Sequence, residues 1–191
     1  MVDEARLEAT GSGLTPASDG WFVVNVGEAA WLTNQAFGRR CVFEADTPVV
    51  RNRPGLEVHR FADVGLTLAV LGPGKPSGLY HAESNQENFL VLAGECLLVV
   101  EGEERQLRAW DFVHCPTGTE HVFVGAGSGP CVIFIVGART PDKSIVYPDS
   151  EPARGHGAGV ETGTSSPKEA YSGFPHWTPG RPSSWPELPW A

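Results

Sequence analysis

The chain has 191 residues, a formal net charge of −9 and a hydrophobic content of 41%. That length supports one domain with a real core and some appendage, and the negative sign makes nucleic acid and anionic membrane poor partners. No apolar run approaches the roughly 20 residues that span a bilayer. The N-terminus lacks the basic-then-apolar pattern of a secretory signal, so the expected location is the cytoplasm.

Residues 1–20 are polar and carry Gly11, Gly13, Pro16 and Gly20, the composition of a flexible N-terminal arm. Residues 21–26 are rich in β-formers and are predicted as the first strand. Residues 28–37 are predicted as one short helix, with Glu28 in its first turn and Gly38 as its stop. Residues 40–45 and 47–50 are expected as strand pieces about a turn at Asp46, and residues 52–55 as a second turn. Residues 56–61 alternate apolar and polar, as a half-buried strand does. Residues 65–71 form a continuous apolar strand, followed by a Gly/Pro loop over 72–78. Strands over 89–92 and 96–100 are expected to form a hairpin at Gly94. Residues 106–110 and 112–115 lead to a loop with Pro116 and Gly118, and strands over 122–124 and 131–136 complete the set. Phe112, Phe123 and Tyr80 are assigned to the core.

Many short strands and few helices predict an all-β domain over 21–140. From Thr140 onward the prolines multiply, and residues 155–166 have linker composition. Yet Phe174, Trp177, Trp185 and Trp190 each have roughly 150–250 Å² to bury. The stretch 141–191 is therefore expected to pack on its own domain or on a partner subunit. Cys41, Cys96, Cys115 and Cys131 sit in apolar runs without a Cys-x-x-Cys pair, which favours buried free thiols.

The chemistry concentrates between His81 and His121. Residues two apart on a strand share a face, so His81 and Glu83 point the same way, and Glu87 rejoins that face after an even step. A closed sheet would bring His121 to them. Imidazole and carboxylate together suit a transition metal better than calcium.

The stretch resembles the cupin superfamily. In the first motif of that family, His81, Glu87 and Gly94 fall on the expected spacing, Glu83 stands where a second His is usual, and Lys75 replaces the opening Gly. In the second motif Pro116, Gly118 and His121 match, while Trp110 replaces the Gly and Gly125 the Asn. The resemblance implies a cupin jelly-roll β-barrel, here with an N-terminal extension bearing one short helix and an irregular Pro/Trp-rich C-terminal tail. It implies one divalent metal on His81, Glu87 and His121; strand parity offers Glu83 as a fourth ligand, and without it the two-His, one-carboxylate set keeps open positions that suit Fe(II). An extra carboxylate favours iron or manganese, and zinc and nickel remain compatible. It also implies a homodimer and a small organic molecule as partner.

For second-shell or pocket roles the candidates are His59, His114 and Cys115, each set against a plain packing or surface role. The activity implied is a metal-dependent dioxygenase or related oxidoreductase. A non-catalytic ligand-binding module stands beside it. So does an isomerase, in which Glu83 would be the catalytic base.

Overall fold

A computed structural model of the protein describes residues 1–51, 55–181 and 188. In chain order the elements are β1 Leu7–Thr10, β2 Gly13–Pro16, β3 Ala30–Asn34, β4 Gly38–Val42, α1 Thr47–Val50, β5 Val64–Leu71, β6 Ala82–Glu83, β7 Glu87–Ala93, β8 Glu95–Val100 and β9 Glu103–Arg108. There follow β10 Phe112–Cys115, β11 His121–Ala126, β12 Cys131–Ala138, β13 Ile145–Val146, α2 Glu151–Gly155, α3 Pro167–Ala170 and β14 Thr178–Pro179. The fold is all-β, as expected. A seven-stranded sheet, β10-β7-β12-β5-β4-β3-β14, faces a three-stranded sheet, β11-β8-β9. The pair β13-β6 adjoins the smaller sheet, and the bridges His81–His121 and Pro76–Val124 tie the segment before β6 to β11.

The core between the layers holds Ala69, Leu71, Phe89, Val91, Cys96, Leu98, Phe123 and Ile133. In β8 the alternate residues Leu97 and Val99 turn the other way, against Tyr80, Ala153 and Ala158. Both faces of β8 are covered, and so its sequence is continuously apolar.

Several expected elements differ. Strands β7 and β8 are not a hairpin, because they lie in different sheets. The chain crosses between layers at Gly94, whose φ is 71° and whose Cβ, if present, would lie 2.2 Å from the Pro130 carbonyl oxygen. Turn residues of the same type serve a crossing as well as a hairpin, so local sequence does not separate them. Residues 28–37 hold strand β3 in place of a helix: Trp31 faces one cluster while Ala30 and Leu32 face another. Residues 47–50 form a helix, not a strand. The Asp46 carboxylate accepts from Thr47 N–H at 2.8 Å, and a proline lies in the first turn.

Residues 21–26 make one bridge, Glu4–Trp21, and no strand; Val24 and Val26 pack as loop residues against the Trp31 cluster. Residues 56–61 likewise make a single bridge, Ala45–His59. Side chains take the place of a ladder there: Glu44 accepts from Phe61 N–H and pairs with Arg139 at 2.7 Å. The N-terminal 20 residues contain the β1–β2 hairpin, with Ser12 and Thr15 buried. Phe123 and Tyr80 are core, but Phe112 on the edge strand β10 is 64% exposed. The expected turn over 52–55 lies mostly outside the described residues, as do Trp185 and Trp190.

Residues 141–181 pack on the same chain. Tyr147, Ala170, Phe174 and Trp177 close over Phe37 and Leu79, and Tyr80 N–H donates to the Ala158 carbonyl at 2.7 Å. The expected linker over 155–166 is held by the bridges Asp149–Val160 and Tyr147–Thr164. Limited proteolysis should therefore leave residues 141–181 attached; their rapid loss from folded protein would contradict this packing.

Candidate metal centre

Three elements deliver the site. Glu87 opens β7 in the large sheet and His121 opens β11 in the small one, while His81 precedes β6. Phe89 and Phe123 follow their ligands on the same inward faces, with ring centroids 4.5 Å apart, and form the floor. His81 and His121 bridge through paired backbone bonds of 3.2 and 2.9 Å, which bring their rings to 4.9 Å.

The donor atoms of His81, Glu87 and His121 all lie within 4.8 Å of one another. Glu87 Oε2 is 3.3 Å from His121 Nε2 and 3.7 Å from His81 Nε2. Each ring's other nitrogen meets a carbonyl, His81 Nδ1 that of Leu79 at 2.7 Å and His121 Nδ1 that of Thr119 at 3.0 Å. Donation from Nδ1–H fixes the tautomer and presents the Nε2 lone pair inward. Glu87 Oε2 is buried and makes no hydrogen bond. A buried charged oxygen without a well-aligned hydrogen bond, facing two imidazole nitrogens, is what a divalent cation satisfies when it displaces the His121 proton. The residues fit the implied metal.

Residues 67–137 match the model of the cupin domain family. The match covers a little over a third of the chain and falls on its central strands. The chain matches no curated protein. Among solved structures it is similar to a sugar phosphate isomerase from Silicibacter pomeroyi, at 24% identity over 67% of this chain and 76% of that one, with a TM-score of 0.44. It is also similar to the polyketide cyclase RemF from Streptomyces resistomycificus, at 18% identity over 64% of this chain and 83% of that one, with a TM-score of 0.49. The lyase DddQ from Ruegeria pomeroyi, which acts on DMSP, is 19% identical over 46% of this chain and 44% of that one, with a TM-score of 0.39. A proposed sugar phosphate isomerase from Acidithiobacillus ferrooxidans is 22% identical over 56% of this chain, and the match spans 64% of its own length, with a TM-score of 0.44. No helix among the described residues is long and apolar enough to cross a membrane.

Two departures from the cupin motifs have structural reasons. Trp110, in place of Gly, still adopts a positive φ of 75°. It is 75% exposed. Trp110→Gly relieves about 1–2 kcal/mol of backbone strain, partly offset by a freer unfolded chain. A chemical melt should show unchanged or slightly raised stability; a clear loss would contradict it. Gly125, in place of Asn, has the Gly72 carbonyl oxygen 2.2 Å from where a Cβ would sit, so no side chain fits.

The remaining expected site residues divide. Glu83 is not part of the three-donor cluster: its carboxylate pairs with Lys143 Nζ at 2.7 Å. Strand parity puts it on the ligand face, but a lysine from the segment before β13 claims it. Cys115 is buried beside the His121 ring, opposite Glu87 in the ladder. His59 lies elsewhere, 3.5 Å from Asp19. His114 is exposed and bonds Asn88 at 2.7 Å. His114 falls outside the cluster because its face of β10 points away from the core, and His59 because it lies in the segment that bridges Ala45, outside the sheets. Sequence reasoning did not anticipate Tyr147, whose ring centroid is 6.0 Å from that of His81, nor Lys143. The β-forming run Ile145, Val146, Tyr147 inside the proline-rich tail is the signal that marks them.

Burial alone would raise the Glu87 carboxyl, but the facing His121 and His81 rings outweigh it and bring it from 4.5 to about 2. Burial would lower His121; the Cys115 thiol and Glu87 outweigh it and raise the ring from 6.5 to about 10. Glu87 thus contributes stability that is full above pH 4.5 and lost as pH falls towards about 2. His121 contributes stability that is full below pH 6.5 and lost as pH rises through about 10. Metal-free protein should melt highest between those limits and lower on either side. A melting temperature flat across the whole range would contradict the pairing. A bound cation competes with the His121 proton, so metal uptake should strengthen as pH rises.

Proposed function

We propose that this cupin is a metal-dependent oxygen-using oxidoreductase, of dioxygenase type, acting on a small organic molecule. The observation that supports it is the position of Glu83. With that carboxylate on Lys143, the inward donors reduce to two imidazoles and one carboxylate. Such a set leaves open positions and suits Fe(II). The ion, when bound, supplies Lewis acidity and electrons for dioxygen chemistry. The chain's own contribution is orientation and exclusion: Leu79 and Thr119 hold the imidazoles, and Phe89 and Phe123 keep water from the floor.

Oxygen uptake decides it. Purified protein reconstituted with Fe(II) is expected to consume oxygen with a member of a panel of catechols, diketones and thiols, and His121→Ala to abolish the uptake. Silence across the panel, with a small molecule co-purifying, would support a non-catalytic binding module instead. One observation favours a second reading, an isomerase: Glu83 shares the His81 face and is free of the cluster, where it could take a substrate proton. Solvent deuterium entering substrate without oxygen, and lost in Glu83→Gln, would select that reading.

A further inference from the structure

Glu83 and Lys143 form a second constellation beside the ligands. Glu83 follows His81 by two residues, a step that in extended chain returns a side chain to the same face about 7 Å on. Its side chain is only 9% exposed, whereas that of Lys143 is 45% exposed. A carboxylate so buried needs a charge partner, and Lys143 Nζ supplies it at 2.7 Å. An ammonium has three donors, and this contact uses one. The half-exposed side chain leaves the others for a further partner. The Tyr147 ring lies 6.0 Å from that of His81, and its phenol is pushed up by burial first, then by Tyr171 and by Glu83, so the same ring neighbours both the cluster and this pair. The Glu83 carbonyl also accepts from Gly118 N–H at 2.8 Å, so the strand is anchored to the loop that delivers His121.

We propose that Lys143, positioned by Glu83, recognises a carboxylate on the molecule that the metal centre takes, so that the substrate is a small organic acid. This rests on the metal-centre reading. With a divalent ion on neutral imidazoles, Glu87 and Glu83 cancel the ion's charge and Lys143 leaves the pocket one positive. A monoanion matches that balance. A dianionic phosphate would carry excess charge towards two carboxylates.

Protein loaded with Co(II) is titrated with three hydroxamates and followed by cobalt absorption. Acetohydroxamate is the neutral probe, N-hydroxysuccinamate adds a carboxylate and phosphonoacetohydroxamate adds a phosphonate. N-hydroxysuccinamate is expected to bind about tenfold tighter than acetohydroxamate, the scale of one charge-assisted hydrogen bond. Lys143→Met should erase that preference, read as the ratio of the two probe affinities within the same variant, and Lys143→Arg should restore part of it. Glu83→Gln should weaken it by releasing the lysine; a gain there would overturn the positioning role. Equal binding of the first two probes, or a preference that survives Lys143→Met, overturns the proposal. A Lys143-dependent preference for phosphonate over carboxylate overturns the organic-acid assignment. If the protein takes up no Co(II), or acetohydroxamate does not bind, the metal-centre reading fails and this inference with it.

Discussion

His121→Ala is expected to abolish stoichiometric metal binding. Loss of a hydrogen bond that merely supports a ligand costs about 10–100-fold in affinity, and removal of a ligand should cost more. Competition titration against a chelator, with elemental analysis of the purified protein, measures it. His121 is 3% exposed, so its truncation also opens space against Phe89. Glu87→Gln separates the two effects, because it keeps shape and removes charge. Both variants should fail to hold the ion, and circular dichroism should show the Glu87→Gln sheet intact. Full metal occupancy in either variant would refute the centre.

Trp31→Ala should be the most damaging core change. The side chain is 1% exposed, packs with Leu68, Val70, Val132 and Leu188, and donates from Nε1 to the Val26 carbonyl at 3.0 Å. Truncating a buried Trp costs about 3–5 kcal/mol. Trp31→Phe loses the hydrogen bond and part of the volume, and should cost less. Urea unfolding reads both. A loss below about 1 kcal/mol for Trp31→Ala, typical of surface sites, would mean that the outer face of the large sheet is not sealed by β3 and its neighbours. The same site carries Leu188, so Trp31→Ala is also expected to speed proteolysis of the last residues.

The central strands were legible because their signals are local. Residues 65–71 and 131–136 are continuous apolar runs, and they became the long paired strands β5 and β12. The ligands His81, Glu87 and His121 were legible from spacing and from the Pro116 and Gly118 that shape the approach to His121. Before Val64 the reading failed more often. Ala30, Trp31 and Leu32 are apolar in succession, and periodicity does not separate a strand covered on both faces from a short helix. For residues 56–61 the alternation was real, but Glu44 and Arg139, just beyond the ends of β4 and β12, took the backbone groups of Phe61 that a ladder would have used.

Strand parity puts Glu83 on the His81 face. It could not say which cation the carboxylate would meet, because Lys143 arrives from a segment 60 residues away. Likewise Gly94 signals a reversal without saying whether the chain re-enters its own sheet or crosses to the facing one. Backbone conformation and side-chain alternation are properties of neighbours along the chain. Charge pairing and the choice of sheet depend on groups brought together only when the layers close, where burial forces each carboxylate to find its partner.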